Sequence, residues 1–213
     1  VGCDGTIRKN PTDALPAPVG DDELLAALSP EQGEPPTGNV AGDQPAVELL
    51  PADGAQGSAL VVNRDAPEGA DDMPLNVVLT DASLALCAEK DVEWIVISAE
   101  GCGIALPLAV ASPCTISVGV PDTAPEDAAL DAYSLFGAPC EVSIDGAASA
   151  ASGIVVRIAW IEGMPQTAVG LYVANGQVKA VEATLVRDAG GAPAYFELPY
   201  QGNGVYLIAA ATV

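Results

Sequence analysis

The sequence predicts a mostly all-β chain: an antiparallel β-sandwich, Ig-like or related, with one or two short helices and an extended Pro/Gly-rich N-terminal arm. Three observations carry that expectation. Short apolar-rich runs recur from Ala46 to the C-terminus, bounded by turn residues, at the spacing of strands in a sandwich or barrel. Asn175-Gly176 stands between two of these runs, and this dipeptide accepts the positive φ angles of a two-residue type I′ turn. Helical patterns are too few to supply the crossovers of βαβ units. Half of the residues are hydrophobic but only 4% are aromatic, so Ala, Val, Leu and Ile must do most of the burying, which suits sheets packed face to face.

Residues 1–45 form the arm. Val1-Gly2-Cys3 resembles the end of a bacterial lipobox. A processed lipoprotein begins at the cysteine, so Val1 and Gly2 weigh against a lipid anchor at Cys3 and for a plain thiol or a disulfide. The start at Val1 fits a leader peptide already removed. Asp21 can cap a short helix to Leu28, with Leu24, Leu25 and Leu28 as its apolar positions and Pro30 as its stop. Ser29 to Pro45 is rich in Pro, Gly and acid. That composition suits a linker, or a segment laid along a protein partner or a second copy of the chain.

Residues 46–213 carry the sandwich, as one region or as two subdomains, 46–145 and 146–213. Ala46–Leu50 and Ala59–Asn63 read as strands joined through Pro51-Ala-Asp-Gly54. Arg64 to Pro74 is an acidic loop, and Leu75–Leu79 is a strand. Thr80 or Asp81 can cap a short helix through Lys90, with Leu84, Cys87 and Ala88 on one face. Trp94–Ser98 is a strand, turning at Ala99-Glu100-Gly101 into another through Leu106, where Pro107 ends it or opens a helical turn. Thr115–Val120 follows, and residues 121–135 read as a loop with one helical turn. Cys140–Ile144, Ile154–Ile161, Val169–Val173, Gln177–Val181, Thr184–Arg187, Ala194–Leu198 and Val205–Ala210 complete the strands.

The formal net charge is −22, from 29 acidic and 7 basic side chains. Such a surface repels polyanions, so neither nucleic acid nor an anionic lipid surface is an expected partner. It fits solubility outside the cell. The chain has no His, which excludes Ser-His-Asp and Cys-His catalysis, His-ligated zinc and His-ligated haem. No apolar run is long enough for a transmembrane helix. The five cysteines contain no CxxC pair, so disulfides in an oxidising compartment are expected rather than a zinc ribbon. Cys87, Cys102, Cys114 and Cys140 are the disulfide candidates, and four cysteines allow three connectivities. Cys102 with Cys114 and Cys87 with Cys140 is one of them, and buried free thiols are the alternative.

Three further sets of residues call for a chemical reading. Asp122, Glu126, Asp127 and Asp131 cluster around the helical turn, but no EF-hand loop pattern is present, so a solvated acidic face is expected in preference to a calcium site. Glu93, Glu100, Glu162 and Glu197 include the carboxylates from which a glycosidase pair would have to be drawn. Trp94 and Trp160 sit inside apolar runs, which predicts core burial over stacking on sugar rings. The expectation is no catalytic residue, no metal site and no cofactor.

A strand runs into an Asp-Ala helix, Val77-Val78-Leu79-Thr80-Asp81-Ala82-Ser83-Leu84, and a hairpin ends in Leu106-Pro107. Further on come Gly170-Leu171-Tyr172, Asn175-Gly176, Lys179-Ala180-Val181, Tyr195-Phe196-Glu197 and the terminal strand Val205-Tyr206-Leu207-Ile208. With these features the block from about Leu75 to Ala210 resembles a β-sandwich module of Gram-positive bacterial surface proteins, a type found beside S-layer-homology repeats or cell-wall anchors. The family has His-Phe-Ser before the terminal strand, where this chain has Gly202-Asn203-Gly204. The resemblance implies a non-catalytic extracellular module with a structural, adhesive or assembly role. A secreted ligand-binding lipoprotein, carbohydrate-binding for example, is the competing expectation.

Overall fold

The computed structural model describes residues 46–51, 58–64, 74–123, 125–146 and 152–211, with the backbone alone for 46–51 and 211. The predicted helix Asp21–Leu28, the linker Ser29–Pro45, Cys3 and most of the loops 51–54 and 64–74 lie outside the described residues. In chain order the elements are β1 (Ala46–Pro51), β2 (Ser58–Arg64), β3 (Leu75–Leu79), α1 (Asp81–Glu89), β4 (Val92–Ala99) and β5 (Cys102–Pro107). Then come β6 (Cys114–Gly119), β7 (Tyr133–Gly146), β8 (Val155–Ala159), β9 (Val169–Ala174), β10 (Gln177–Glu182), β11 (Thr184–Arg187), β12 (Pro193–Pro199) and β13 (Gly204–Ala211). Single 3-10 turns, Leu108–Val110 and Ala128–Ala132, precede β6 and β7.

The strands make two sheets, as the alternation of the sequence requires. One has seven strands in the order β1-β2-β4-β5-β8-β12-β11, and the other has six in the order β10-β9-β13-β7-β6-β3. Strands from before and after residue 146 share both sheets, with β5 paired to β8 and β7 to β13, so that position does not separate two cores. All pairings are antiparallel except β2 with β4, which run parallel because the chain visits β3 and α1 between them. Alternate residues of the two sheets meet in one core: Leu60, Ile95, Ile97, Ile104 and Val156 from the first sheet, and Val77, Ile116, Val142, Tyr206 and Ile208 from the second.

The turn chemistry behaves as read. Asn175 and Gly176 take φ angles of 51° and 67° between β9 and β10. Glu100 and Gly101, at 56° and 79°, form a similar turn between β4 and β5. Pro107 both closes β5 and leads into the 3-10 turn Leu108–Val110.

Two elements depart from expectation. In α1 the cap is Thr80, whose Oγ1 accepts from the Ser83 amide while Ser83 Oγ accepts from the Thr80 amide, a reciprocal capping box. That pairing turns Ser83 inward, so Ser83 and Cys87 are buried at i and i+4 with half-buried Leu84 packed beside them on the core, while Ala88, expected on this face, is exposed. The second departure is β7. It begins at Tyr133, so residues 133–139, which read as loop or gap before Cys140, are strand. Gly137, at φ 71°, and Pro139 mask it in the sequence, and the pairing with β13 shifts register between Tyr206 and Ile208.

Candidate functional site

The start of β4 is irregular, and that irregularity builds the candidate site. Ser58 pairs with Val92 and the next pair is Ala59 with Trp94, so Glu93 is an extra residue with no partner on β2. Such a bulge re-aims the side chains around it. Just before it, Asp91 takes a left-handed φ of 53° as the chain leaves α1, a conformation that Asp tolerates better than most residues. Its amide donates to the Ala88 carbonyl, and its own carbonyl accepts from Ser58 Oγ at 2.6 Å. The backbone is thus tied on both sides. Asp91, Glu93 and Trp94 are together among the residues that line one open groove of about 690 Å³.

The walls of that groove are Ala88 of α1, Val92, Pro107 and the 3-10 residues Leu108 and Ala109. Trp94 stands opposite Pro107 in the ladder and packs on its other side against Val96, Ala105 and Ala59. It is half-buried on the outer face of the seven-stranded sheet, not inside the sandwich. The reason is phase: Ile95, Ile97 and Ala99 point into the main core, which leaves Trp94, Val96 and Ser98 for the outside. Among the described residues, no hydrogen bond or ion pair engages the side chains of Asp91, Glu93 or Trp94. Trp160 is also half-buried, packed against the main core, with its indole nitrogen buried and unpaired.

The other carboxylates do not gather. Glu93 and Glu100 lie at opposite ends of β4, roughly 23 Å apart at the strand rise, whereas a glycosidase pair needs about 5–9.5 Å. Glu100 pairs with Arg64 at 3.6 Å. Glu197 accepts from Arg157 Nε and a terminal guanidinium nitrogen at 3.1 and 2.9 Å, and that guanidinium lies 4.6 Å from the Tyr195 ring centroid. Glu162 is exposed in the turn after β8.

The acidic cluster also disperses. Asp127 caps the 3-10 turn Ala128–Ala132 by accepting from the Ala129 amide at 2.8 Å. Glu126 and Asp131 face solvent, and Asp122 borders a smaller pocket of about 250 Å³ with Ser117, Glu141 and Ser143. Among the described residues no three Cys, Asp or Glu side chains converge as a metal site would require.

Of the four disulfide candidates the structure joins Cys102 to Cys140, across the core from β5 to β7. The pairings Cys102–Cys114 and Cys87–Cys140 are therefore corrected. Cys114 sits in β6 beside Leu79 of β3, and Cys87 is on the inward face of α1. Both are buried free thiols, and burial raises the pKa of each.

Sequence reasoning missed a hydrogen-bonded corner at the β12–β13 junction. Tyr206 Oη donates to the Gly202 carbonyl at 2.7 Å and accepts from the Gln201 amide at 2.8 Å. This is the local geometry of the tyrosine corner in Ig-type sandwiches. Asn203 clamps β7, with its Oδ1 accepting from the Ile144 amide and its Nδ2 donating to the Ile144 carbonyl. Tyr200 and Tyr172 donate to the side chain and carbonyl of Asn203. A Cβ on Gly204 would come within 2.6 Å of the Val173 carbonyl oxygen, so the glycine is dictated by backbone approach. Gly202-Asn203-Gly204 beside a tyrosine was the available signal. Comparison of the chain with protein-family models, with curated proteins and with solved structures finds no match.

Proposed function

We propose that this chain is a non-catalytic module of an extracellular or bacterial cell-surface protein, with a structural, adhesive or assembly role. The observation that carries the reading is the Cys102–Cys140 bridge. It spans the core and ties the two sheets together, and such bonds persist in oxidising compartments. The net charge of −22 suits an exposed, soluble surface. The arm, residues 1–45, leads into β1, the outermost strand of the seven-stranded sheet, where a strand from a partner or a second copy can add. The resemblance to surface modules found beside S-layer-homology repeats or wall anchors points the same way.

Protease shaving of intact cells of the source organism tests this. Peptides from residues 46–213 are expected in the supernatant before lysis. Their recovery only after lysis contradicts the proposal.

A second reading, a secreted carbohydrate-binding lipoprotein, draws on one observation: Trp94 is half-exposed in an open groove, where an indole face can meet a sugar ring. Titration with cellohexaose and chitohexaose tests it, and a Trp94 signal unmoved by both counts against it.

A further inference from the structure

We propose that the groove between α1 and the 3-10 turn Leu108–Val110 is a docking site for a lysine side chain on a partner protein. The proposal deepens the adhesive reading, and rests on it only in requiring a protein partner.

The groove's chemistry selects the ligand. The lining residues with polar side chains are Asp91, Glu93 and Trp94, with no cation among the described lining residues. Lys90 is next in sequence to Asp91 but does not line the groove. Carboxylates only accept hydrogen bonds, so a ligand made of hydroxyls would meet acceptors with few donors in return. An alkylammonium group meets the whole set. It brings three N–H donors for the two carboxylates, and its charge is attracted to an aromatic face. Its methylene stem has an apolar wall to lie on in Ala88, Val92, Pro107 and Leu108.

Charge complementarity acts at long range too. With 29 acidic against 7 basic side chains, the field around the protein draws cations in. The groove adds a place for one to stop. Its lining is held before the ligand arrives, because the Asp91 backbone is bonded to both Ala88 and Ser58 and the Glu93 bulge is fixed in the sheet. Among the described residues, neither carboxylate must give up a partner in order to bind.

The test uses the intact chain, labelled with nitrogen-15, and follows its two tryptophan indole signals. Trp94→Phe identifies which signal belongs to the groove. The probes are a short peptide of alternating Gly and Lys, the same peptide with acetylated lysines, and cellohexaose. The lysine peptide is expected to shift the Trp94 signal saturably and leave Trp160 in place. The acetylated peptide is expected to have no effect. Asp91→Asn with Glu93→Gln, two exposed positions where folding is not at stake, is expected to weaken the lysine peptide about tenfold at low salt. Three results would overturn the proposal: an equal response to acetylated peptide, a lysine response unchanged in the double variant, or a shift of Trp94 with cellohexaose alone. Failure of this titration leaves the cell-surface result standing, and failure of shaving leaves the titration standing.

Discussion

Two regions of this sandwich spend their polar atoms in opposite ways. At the β12–β13 corner, Tyr172, Tyr200, Tyr206 and Asn203 hydrogen-bond to one another or to backbone, and Gly204 admits no Cβ. At the α1–β4 groove the backbone is tied just as firmly, yet Asp91, Glu93 and Trp94 have no such partners among the described residues. The corner's aromatic hydroxyls are committed to holding the fold. The groove's side chains have no such commitment among the described residues. The corner is therefore closed and the groove open, and substitutions at the two sites must behave differently.

The largest effect is expected at the bond that ties the sheets. Replacing Cys102 and Cys140 by Ala frees a sequence separation of 38 residues in the unfolded chain, a loss of about 4 kcal/mol by loop-closure entropy. Urea unfolding of the variant against the unreduced parent measures it, and a shift below about 1 kcal/mol would show that the bridge does not constrain the chain.

Gly204→Ala comes next. The new methyl would press on the Val173 carbonyl, which is backbone and belongs to the β9–β13 ladder, so about 3 kcal/mol should be lost. Tyr206→Phe should cost about 2 kcal/mol, because the Gln201 amide and the Gly202 carbonyl lose their partner while the ring still fills the core. Thermal melts of both variants check the order.

The corner also sets an alkaline limit. Burial, helped by the neighbouring Tyr172, pushes Tyr200 up to about 12, and burial raises Tyr206 as well. Both hold their protons more tightly in the fold than in the unfolded chain, where tyrosine titrates near 10. Their contribution is therefore complete below about pH 10 and fades as pH rises through about 12. The urea midpoint should fall across that window. Phenolate absorbance should show Tyr200 and Tyr206 ionising above the ordinary tyrosine range while the protein is folded.

The smallest effect on stability belongs to the groove. Asp91→Asn with Glu93→Gln should change it by no more than about 0.5 kcal/mol, since both side chains are exposed and have no hydrogen bond or ion pair among the described residues. A loss as large as that of Tyr206→Phe would erase the contrast between the two regions.

The sequence made some of this legible and hid the rest for physical reasons. Turns governed by one dipeptide, such as Asn175-Gly176, could be read directly because the φ requirement is local. Most strands were visible for the same reason: alternation is a property of neighbours. The first half of β7 was not, because Gly137 and Pro139 imitate a loop and only the long-range partner β13 holds them in a ladder. The pairing of Cys102 with Cys140 depends on which strands face each other across the core, and no spacing rule reports that.

The facing of Trp94 was hidden by composition. Glu93 to Ser98 is apolar on both faces at its centre, so the run fits either phase, and the phase decides whether the indole is core or surface. The Thr80–Ser83 capping box brings Ser83 onto the buried face of α1 beside Cys87, and Ala88 is left outside. A cap read only as a helix start does not reveal that inward serine.

The central claim is that the two sheets are tied through Cys102 and Cys140 in the native protein. Peptide mapping by mass spectrometry of unreduced native protein measures this directly. The account predicts a Cys102–Cys140 linked peptide, with Cys87 and Cys114 alkylated only after unfolding. Recovery of Cys102 and Cys140 as free thiols, or joined to other cysteines, would contradict it.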